Sequence, residues 1–287
     1  MSEMKQLLAT TRCVNTEFRW GKRTYIMGVC NLSPDSFSGD GLGDDIEVTL
    51  AQARRFVSEG ADIIDVGGES TRPGTEPVSI GDIDRELGLV IPAIERLSRE
   101  LPVPISIDTY KSAVASRAVK AGAAMINDIW GLKQDPGLAD IAAEAGIPIV
   151  LMSNQRDEPP SDDIMAAVIA DLNRSTKLAM KAGIPRENIL IDAGTGFGKT
   201  LEQNWEIVRR LAELKSLGFP ILLGTSRKSM VGLALGLPPD QRIEGTAATV
   251  AIGIANGADM VRVHDVREMV HVCRMSDAII RGGKDGN

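Results

Sequence analysis

Polar residues suited to recognition or catalysis stand where short apolar segments of the chain end. The stretch Leu190–Thr200 shows this most clearly, because a β-branched run ends in Asp192 and three glycines follow within five residues before Lys199. Neither a Walker A loop nor the dinucleotide fingerprint Gly-x-Gly-x-x-Gly fits this spacing. The pattern predicts a strand with a carboxylate at its end and a loop whose backbone can approach a ligand closely. Alternatively, Asp192 and Lys199 only cap turns.

Similar residues follow the other short apolar segments. One polar end is ordinary, but capping alone does not explain why nearly every segment ends in a carboxylate, an amide or a base. The C-terminal ends of parallel barrel strands meet at one mouth, so we expect these residues to form a single site. The positions are Asn31, Thr71, Arg72, Pro73, Asp108, Asn127, Met152, Asp192, Gly224, Lys228, Arg262 and His264.

One group of these residues suits a flat heterocycle. Asp108, Asn127 and Asp192 offer hydrogen-bond acceptors, and a carboxylate that accepts bonds from an amino group and a ring N–H gives a directional, charge-strengthened fit. Lys228 could donate to a carbonyl or ring nitrogen on the opposite edge. Phe197, within the glycine-rich loop, is either a core residue or a stacking wall.

A second, separate group is basic or suits a cation. Arg72, Arg262 and His264 fit a phosphate or pyrophosphate, although His264 could also be a hydrogen-bonded histidine at a barrel rim. Asn31 could help to hold a hard cation through its carbonyl oxygen. Asp65, inside a strand, is expected to be a buried acid that supports its neighbours. The two groups together predict a site for an aromatic heterocycle that carries a diphosphate, with Mg²⁺.

Composition bounds the class of protein. The chain has 287 residues, 43% of them apolar, and a net charge of −7. That length suits a single α/β barrel, and the negative charge argues against non-specific nucleic-acid binding. The cysteines, Cys13, Cys30 and Cys273, are scattered and odd in number, which favours a reducing compartment. No apolar run reaches the ~18 residues of a membrane helix, so we expect a cytoplasmic protein without membrane contact.

The fold follows from a weak internal repeat. Helical patterns such as Glu47–Glu59, Asp82–Glu100 and Glu202–Lys215 alternate with short β-rich runs. Eight such units predict an α/β fold whose parallel sheet closes as a single-domain (β/α)8 TIM barrel, with a doubly wound open sheet as the alternative. The glycines expected to end helices in a left-handed conformation are Gly60, Gly122, Gly146, Gly183, Gly218 and Gly257. The expected boundaries are 1–24 for an N-terminal extension that plugs or flanks the barrel bottom, 25–281 for the barrel and 282–287 for a frayed tail.

Four stretches resemble the signatures of a known family, the dihydropteroate synthases. They are Asn-Leu-Ser-Pro-Asp-Ser-Phe-Ser at 31–38, Gly-Gly-Glu-Ser-Thr-Arg-Pro-Gly at 67–74, Ser-Arg-Lys-Ser at 226–229 and Arg-Val-His-Asp at 262–265. The resemblance implies a (β/α)8 barrel, usually a homodimer, that acts in folate synthesis. Such enzymes join 6-hydroxymethyl-7,8-dihydropterin diphosphate to p-aminobenzoate and release pyrophosphate, and sulfonamides compete with the aminobenzoate.

The resemblance also implies a role for each matching residue. Pterin binding falls to Asp108, Asn127, Asp192 and Lys228, with Met152 and Gly224 beside them. The diphosphate and Mg²⁺ fall to Asn31, Arg262 and His264. Loops containing Asp35, Ser36 and Phe37, and Thr71, Arg72 and Pro73, would close over the site, with Asp35 and Arg72 as catalytic residues alongside Arg262 and His264. Phe197 and Ser229 would help to form the aminobenzoate pocket.

The chain departs from the family pattern at two places. After the fifth barrel strand the family often has Met-His-Met-Gln, where this chain has Met152-Ser-Asn-Gln155, and after Asp192 it usually has Pro-Gly, where this chain has Ala193-Gly194. The first change removes a histidine from the mouth, and the second loosens a turn. Two other functions stay open: a folate- or pterin-dependent methyltransferase on the same barrel, which would have no use for basic diphosphate contacts, and a non-catalytic pterin-binding paralogue.

Overall fold

The chain forms a closed barrel of eight parallel strands wrapped by helices. The computed structural model describes residues 8–33, 45–69, 83–159 and 161–282. A two-stranded hairpin, β1 (Thr11–Cys13) and β2 (Thr16–Phe18), precedes the barrel. The barrel strands are β3 (Tyr25–Asn31), β4 (Ile63–Gly67), β5 (Ile105–Asp108), β6 (Met125–Asp128), β7 (Ile149–Met152), β8 (Ile189–Asp192), β9 (Ile221–Leu223) and β10 (Met260–Val263). They pair in chain order, and β10 closes the ring on β3, so the predicted TIM barrel is confirmed.

Helices follow every barrel strand within the described ranges. They are α1 (Ile46–Glu59), α2 (Ile83–Glu100), α3 (Ser112–Ala121), α4 (Gly137–Ala145), α5 (Ile164–Lys181), α6 (Leu201–Arg210), α7 (Ser229–Leu235), α8 (Ile243–Ala255) and α9 (Val266–Asp277). The six glycines predicted to end helical segments all have positive φ, from 67° at Gly146 to 114° at Gly122. A left-handed residue ends a helix cleanly and turns the chain back towards the sheet.

The helical pattern predicted over Glu202–Lys215 is divided in the structure. The α-helix ends at Arg210, and a 3-10 helix continues over Leu211–Leu217. A 3-10 helix has three residues per turn, so leucines three apart fall on one face. Leu211 and Leu214 are both buried, and their packing explains why the tighter helix replaces the last turn of the predicted one.

Alternation along the strands divides the buried residues into two cores. Residues such as Ile64, Ile126 and Ile191 face outward and pack with the helices in the large core. The residues one position away face inward, and towards the bottom of the barrel they include Met27 and Leu222. Towards the top the inward positions become polar, which places the charged side chains at the C-terminal ends of the strands.

The N-terminal hairpin seals the bottom of the barrel. Phe18, Trp20 and Tyr25 form an aromatic cluster, in which Phe18 stacks on Trp20 at 5.4 Å between ring centroids. This cluster packs against inward-facing residues of the strands, among them Met27 and Met260. The indole N–H of Trp20 donates to the Thr11 hydroxyl at 2.8 Å. The segment therefore acts as a plug that keeps water out of the barrel floor.

Within the described ranges, none of the helices combines the length and the apolar character that crossing a bilayer requires.

Because Trp20 lies in the plug, we expect it to contribute strongly to the free energy of unfolding. Trp20→Ala removes a side chain that is only 4% exposed and should lower the free energy of unfolding by about 3–5 kcal/mol, because a cavity opens beneath the barrel. Trp205→Ala is the matched control: Trp205 is 38% exposed, so its loss should cost about 1 kcal/mol or less. Equilibrium urea unfolding measures both, and equal losses would show that the hairpin is not a structural plug.

Candidate active site

Arg262 projects into the barrel and is held there by two acids. Its Nε donates to Asp65 Oδ2 at 2.7 Å, and its Nη2 donates to Asp108 Oδ2 at 2.7 Å. The Asn127 amide donates to the same oxygen of Asp65 at 3.1 Å. One buried network of charges and hydrogen bonds thus connects β4, β5, β6 and β10 near the top of the barrel.

This network changes the grouping expected from the sequence. The sequence predicts Arg262 in a basic set separate from Asp108, but the structure places the two side chains in direct contact. Closure of the barrel is the reason, since the inward face of β10 looks across the lumen at β4 and β5. Asp65 is fully buried and supports its neighbours as expected. Among the described residues, Asp65 Oδ1 and the Ser106 hydroxyl have no hydrogen-bond partner.

A second cluster forms where β8 and β9 end. Asp192 is 6% exposed, and its Oδ1 accepts a bond from the Gly194 N–H at 2.8 Å. Lys228 Nζ donates to the Thr195 carbonyl at 2.6 Å. A Cβ added to Gly224 would lie 3.7 Å from Lys228 Nζ and 3.8 Å from Asp192 Oδ2. Glycine at this position therefore leaves open space between a carboxylate and an ammonium group.

An apolar wall stands beside this cluster. Ile129, Met152 and Phe197 pack together with Trp130. Lys228 Nζ lies 4.9 Å from the centre of the Phe197 ring, and the Arg156 guanidinium lies 4.7 Å from it. A flat ligand between polar edges and an aromatic wall is a common form of recognition, and Phe197 is placed to provide that wall.

His264 and Ser226 connect the ends of β10 and β9. The His264 Nδ1 and the Ser226 hydroxyl are 2.9 Å apart, and the same hydroxyl accepts a bond from the His264 backbone N–H at 3.2 Å. Arg227 donates to Asp265 at 2.9 Å from Nε, which ties the two loops together a second time. Ser229 begins α7 directly after Lys228. The loop after β9 is therefore held against the end of β10.

Burial shifts the pKa values of Asp108, Asp192 and Lys228 in the direction that favours their neutral forms. Burial raises the pKa of Asp108 to about 7, although Arg262 beside it acts in the opposite direction. Burial likewise raises the pKa of Asp192. It lowers the pKa of Lys228 to about 8, against the opposing effect of Asp192. Acids and bases with perturbed pKa values in one cleft are typical of functional sites.

The departure from the family after β7 is accommodated by a polar network. Ser153 Oγ donates to Asp171 Oδ2 at 2.8 Å, and the Gln155 amide donates to the same carboxylate at 3.1 Å. The Asn154 amide donates to the Ile129 carbonyl at 3.1 Å. All three side chains are buried. The loop thus lacks the family's histidine but is firmly anchored on α5.

Five of the candidate residues cannot be placed. Asp35, Phe37, Thr71, Arg72 and Pro73 lie outside the described residues. Among the described candidates, Asn31 lies at the end of β3, in register with Gly67, which neighbours Asp108 on the next strand. The described candidates therefore share one end of the barrel, as the sequence predicts.

For three residues near the site, sequence reasoning gave no role or, for Lys199, no more than a turn cap. Ser226 bonds His264, Ser106 lies in register with Asp65 on the neighbouring strand, and Lys199 contacts three backbone carbonyls in place of a simple cap. The sequence did contain a signal for the pairing of Arg262 with Asp65, because an arginine at an inward strand position requires a buried acid. The serine and lysine contacts have no such signal, since they depend on loop conformation.

The residues present fit a magnesium ion held mainly by its substrate. No group of three or more His, Cys, Asp or Glu side chains in the described part of the chain could hold a metal by itself. Mg²⁺ in phosphate chemistry usually keeps several waters and takes one or two protein oxygens together with phosphate oxygens. Asn31, at the mouth, offers one such amide oxygen.

We expect substitutions at Asp65 and Ser106, which lie side by side on β4 and β5, to have very different effects on the free energy of unfolding. Asp65→Ala leaves part of a buried guanidinium unpaired and should lower the free energy of unfolding by about 3–5 kcal/mol. Ser106→Ala removes a buried hydroxyl without a described partner and should change it by less than about 0.5 kcal/mol, or stabilise the protein. Urea unfolding of both variants measures this, and similar losses would contradict the central role of Asp65.

Comparisons of the chain with a family model, with related sequences and with solved structures all indicate the same family. Residues 27–264 match the family model of pterin binding enzymes. A dihydropteroate synthase of Bacillus subtilis is 49% identical over 262 residues, which are 91% of this chain and 90% of that protein. The structure of a dihydropteroate synthase from Clostridium difficile, solved in the presence of pteroic acid, is 50% identical with a TM-score of 0.86 and covers 92% of this chain and 99% of that one. The Xanthomonas albilineans enzyme with 4-aminobenzoic acid is 39% identical with a TM-score of 0.87, covering 95% and 98%. The chain therefore belongs to the dihydropteroate synthases, the pterin-binding transferases of folate biosynthesis.

Proposed function

We propose that the barrel mouth joins 6-hydroxymethyl-7,8-dihydropterin diphosphate to p-aminobenzoate, forming 7,8-dihydropteroate and pyrophosphate. One observation carries the assignment of roles: acceptors on β5, β6 and β8, a lysine after β9 and an arginine on β10 converge on one space with an aromatic wall. A heterocycle with amino and N–H donors fits the acceptors, and an anion fits the bases.

Asp192 and Lys228 define the pterin position. The carboxylate of Asp192 accepts from the pterin amino edge, and Lys228 donates to the carbonyl or ring nitrogen across the ring. Support comes from the open space that Gly224 leaves between them. Asn127 and Asp108 complete the acceptor set, and Met152 forms the apolar floor with Ile129.

Arg262 and His264 stabilise the departing diphosphate. Asp65 and Asp108 hold the guanidinium in a fixed orientation, and Ser226 orients the imidazole. Such preorganised groups lose little free energy to reorganisation when charge develops on the leaving oxygen. Mg²⁺, with Asn31 as a protein ligand, would supply further positive charge beside the diphosphate.

Chemistry then follows from the separation of charge. The bond from the pterin methylene to the diphosphate oxygen breaks, and its electron pair leaves with the diphosphate. Positive charge on the methylene spreads into the electron-rich dihydropterin. The amine of p-aminobenzoate attacks this carbon and forms the new C–N bond, and its proton passes to the released pyrophosphate or to water. Neither step requires a covalent bond to the protein, so the scheme needs no nucleophile on the chain.

The second substrate is assigned to the wall beside Lys228. Phe197 would contact the ring of p-aminobenzoate, and Ser229, at the start of α7, would lie near its carboxylate. The family pattern adds loops carrying Asp35 and Phe37, and Thr71, Arg72 and Pro73. We propose that Asp35 and Arg72 contribute to the diphosphate site, and that sulfonamides compete for the aminobenzoate position.

Assembly and location extend the same proposal. Exposed apolar side chains, including Leu233 on α7, Ile252 on α8 and Met275 on α9, lie on helices that neighbour one another. Clustered apolar surface marks contact sites, so we propose a homodimer through this face. The three cysteines are buried and odd in number, which supports a reducing cytoplasm.

Pyrophosphate release tests the reaction and separates it from the two rival functions. The unaltered chain with pterin diphosphate should release pyrophosphate rapidly only when p-aminobenzoate is present. Asp192→Asn turns an amide donor towards a ligand donor and should weaken pterin binding about tenfold or more. A pterin-binding paralogue would bind without release. A methyltransferase would not respond to p-aminobenzoate, and either result would refute the proposal.

The pKa shifts predict a bell-shaped pH dependence of kcat/KM for pterin diphosphate. Below about 7 Asp108 takes up a proton and loses its charge, and above about 8 Lys228 loses its proton. Activity should therefore be greatest between these values and fall by up to about tenfold per pH unit on each side. Lys228→Arg keeps the charge and should move the alkaline limb to higher pH. His271→Ala, at an exposed position of helix α9, is the control and should leave both limbs in place. An unmoved alkaline limb in Lys228→Arg would contradict the assignment.

A further inference from the structure

Lys199 joins two loops of the barrel mouth through backbone oxygens alone. Its Nζ donates to the Ser153 carbonyl at 2.8 Å, the Gly194 carbonyl at 2.8 Å and the Phe197 carbonyl at 3.1 Å. An ammonium group has three donors and no acceptor. Three carbonyls therefore satisfy it completely, and one side chain connects the loop after β7 with the loop after β8.

The two loops touch each other backbone to backbone. A Cβ on Gly194 would collide with the Ser153 carbonyl oxygen, and a Cβ on Gly198 would collide with the Arg156 amide. The Gln155 N–H also donates to the Phe197 carbonyl at 3.2 Å. Glycine permits this close approach, but it offers no side chain that could hold the loops together.

The joined loops carry the aromatic wall. Phe197 packs against Met152, which ends β7, and its ring centre lies 4.9 Å from Lys228 Nζ. Asp192, by contrast, is fixed by its strand and by the Gly194 N–H. Loss of the Lys199 contacts would thus loosen the wall, which the Gln155 N–H still bonds at the Phe197 carbonyl, while the end of the strand stays in place.

We propose that Lys199 is a positioning residue that fixes the Phe197 wall and thereby sets the affinity for p-aminobenzoate. This inference rests on the proposed place of Phe197 in the aminobenzoate pocket. It predicts that the two substrates respond differently, because the pterin acceptors Asp108, Asn127 and Asp192 lie at strand ends and the aminobenzoate contact lies on the joined loops. We call the three bonds from Lys199 the clamp. The clamp uses the Ser153 carbonyl, so it is independent of the side chain that replaces the family's histidine.

Steady-state kinetics of Lys199→Met test whether the KM values for the two substrates respond differently. Methionine keeps the length and removes all three bonds, so KM for p-aminobenzoate should rise about tenfold while KM for pterin diphosphate changes less than about twofold. Lys199→Arg should recover part of the loss, since a guanidinium retains donors but not the same geometry. Burial lowers the pKa of Lys199 to about 7, so all variants are compared below that pH, where the ammonium carries its three protons.

Lys133→Met is the matched control. Lys133 contacts the Asn154 carbonyl and Asp171, and thus supports the loop after β7 without touching the loop after β8. This variant should not raise the KM for p-aminobenzoate selectively over the KM for pterin diphosphate. An equal rise of both KM values in Lys199→Met, or an unchanged KM for p-aminobenzoate, would overturn the proposal.

A crystal structure of Lys199→Met gives a readout that does not depend on turnover. The backbone of 195–198 should shift relative to the loop after β7 and carry Phe197 with it, while Asp192 and its bond from the Gly194 N–H stay in place. An unmoved Phe197 would overturn the clamp. Turnover by the unaltered chain is measured first, so an inactive wild type refutes the proposed reaction, and the structure alone then decides the clamp.

Discussion

The guanidinium of Arg262, whose side chain is only 21% exposed, is the constraint on which the top of the barrel depends. A positive charge inside a barrel requires acidic partners, and Asp65 and Asp108 supply them from strands across the lumen. Such a pair contributes little net stability compared with apolar residues of the same volume, because both charges lose their hydration. In the proposed reaction its role is orientation, because the pair fixes an arginine beside the space from which the diphosphate would depart. On that proposal the ion pair serves catalysis and not stability.

The same principle explains the uneven distribution of polarity along the strands. At the bottom, the hairpin and its aromatic cluster exclude water from an apolar floor. At the top, inward positions carry Asp108, Asn127 and Asp192, which are buried yet bonded to neighbours or open to a ligand. A sealed floor keeps the medium below the site poorly polarisable, which strengthens every charge interaction above it. By excluding water from the floor, the plug at one end therefore strengthens the charge interactions at the other end of the barrel.

The sequence predicts the parts that repeat and misses those that occur once. Eight units, six terminating glycines and the strand-end polar residues are visible because barrel geometry uses them in the same way each time. The pairing of Arg262 with Asp65 joins residues 197 positions apart and depends on closure, which no local pattern records. The 3-10 segment after Arg210 and the contacts of Lys199 depend on packing and loop conformation. The hairpin β1–β2 is too short for a reliable period-2 pattern.

The substitution after β7 shows which features of the site are fixed by chemistry and which by backbone position. Ser153 and Asn154 replace family side chains, whereas Gln155 matches the family pattern. The side chains of all three bond to Asp171 or to the Ile129 carbonyl, away from the space between Asp192 and Lys228. What reaches the site from this loop is the Ser153 carbonyl, through Lys199. Every residue has that carbonyl, so the loop can change its side chains without altering the wall. Under the proposed function the acceptors on β5, β6 and β8 have no such freedom, because their side chains themselves would provide the recognition.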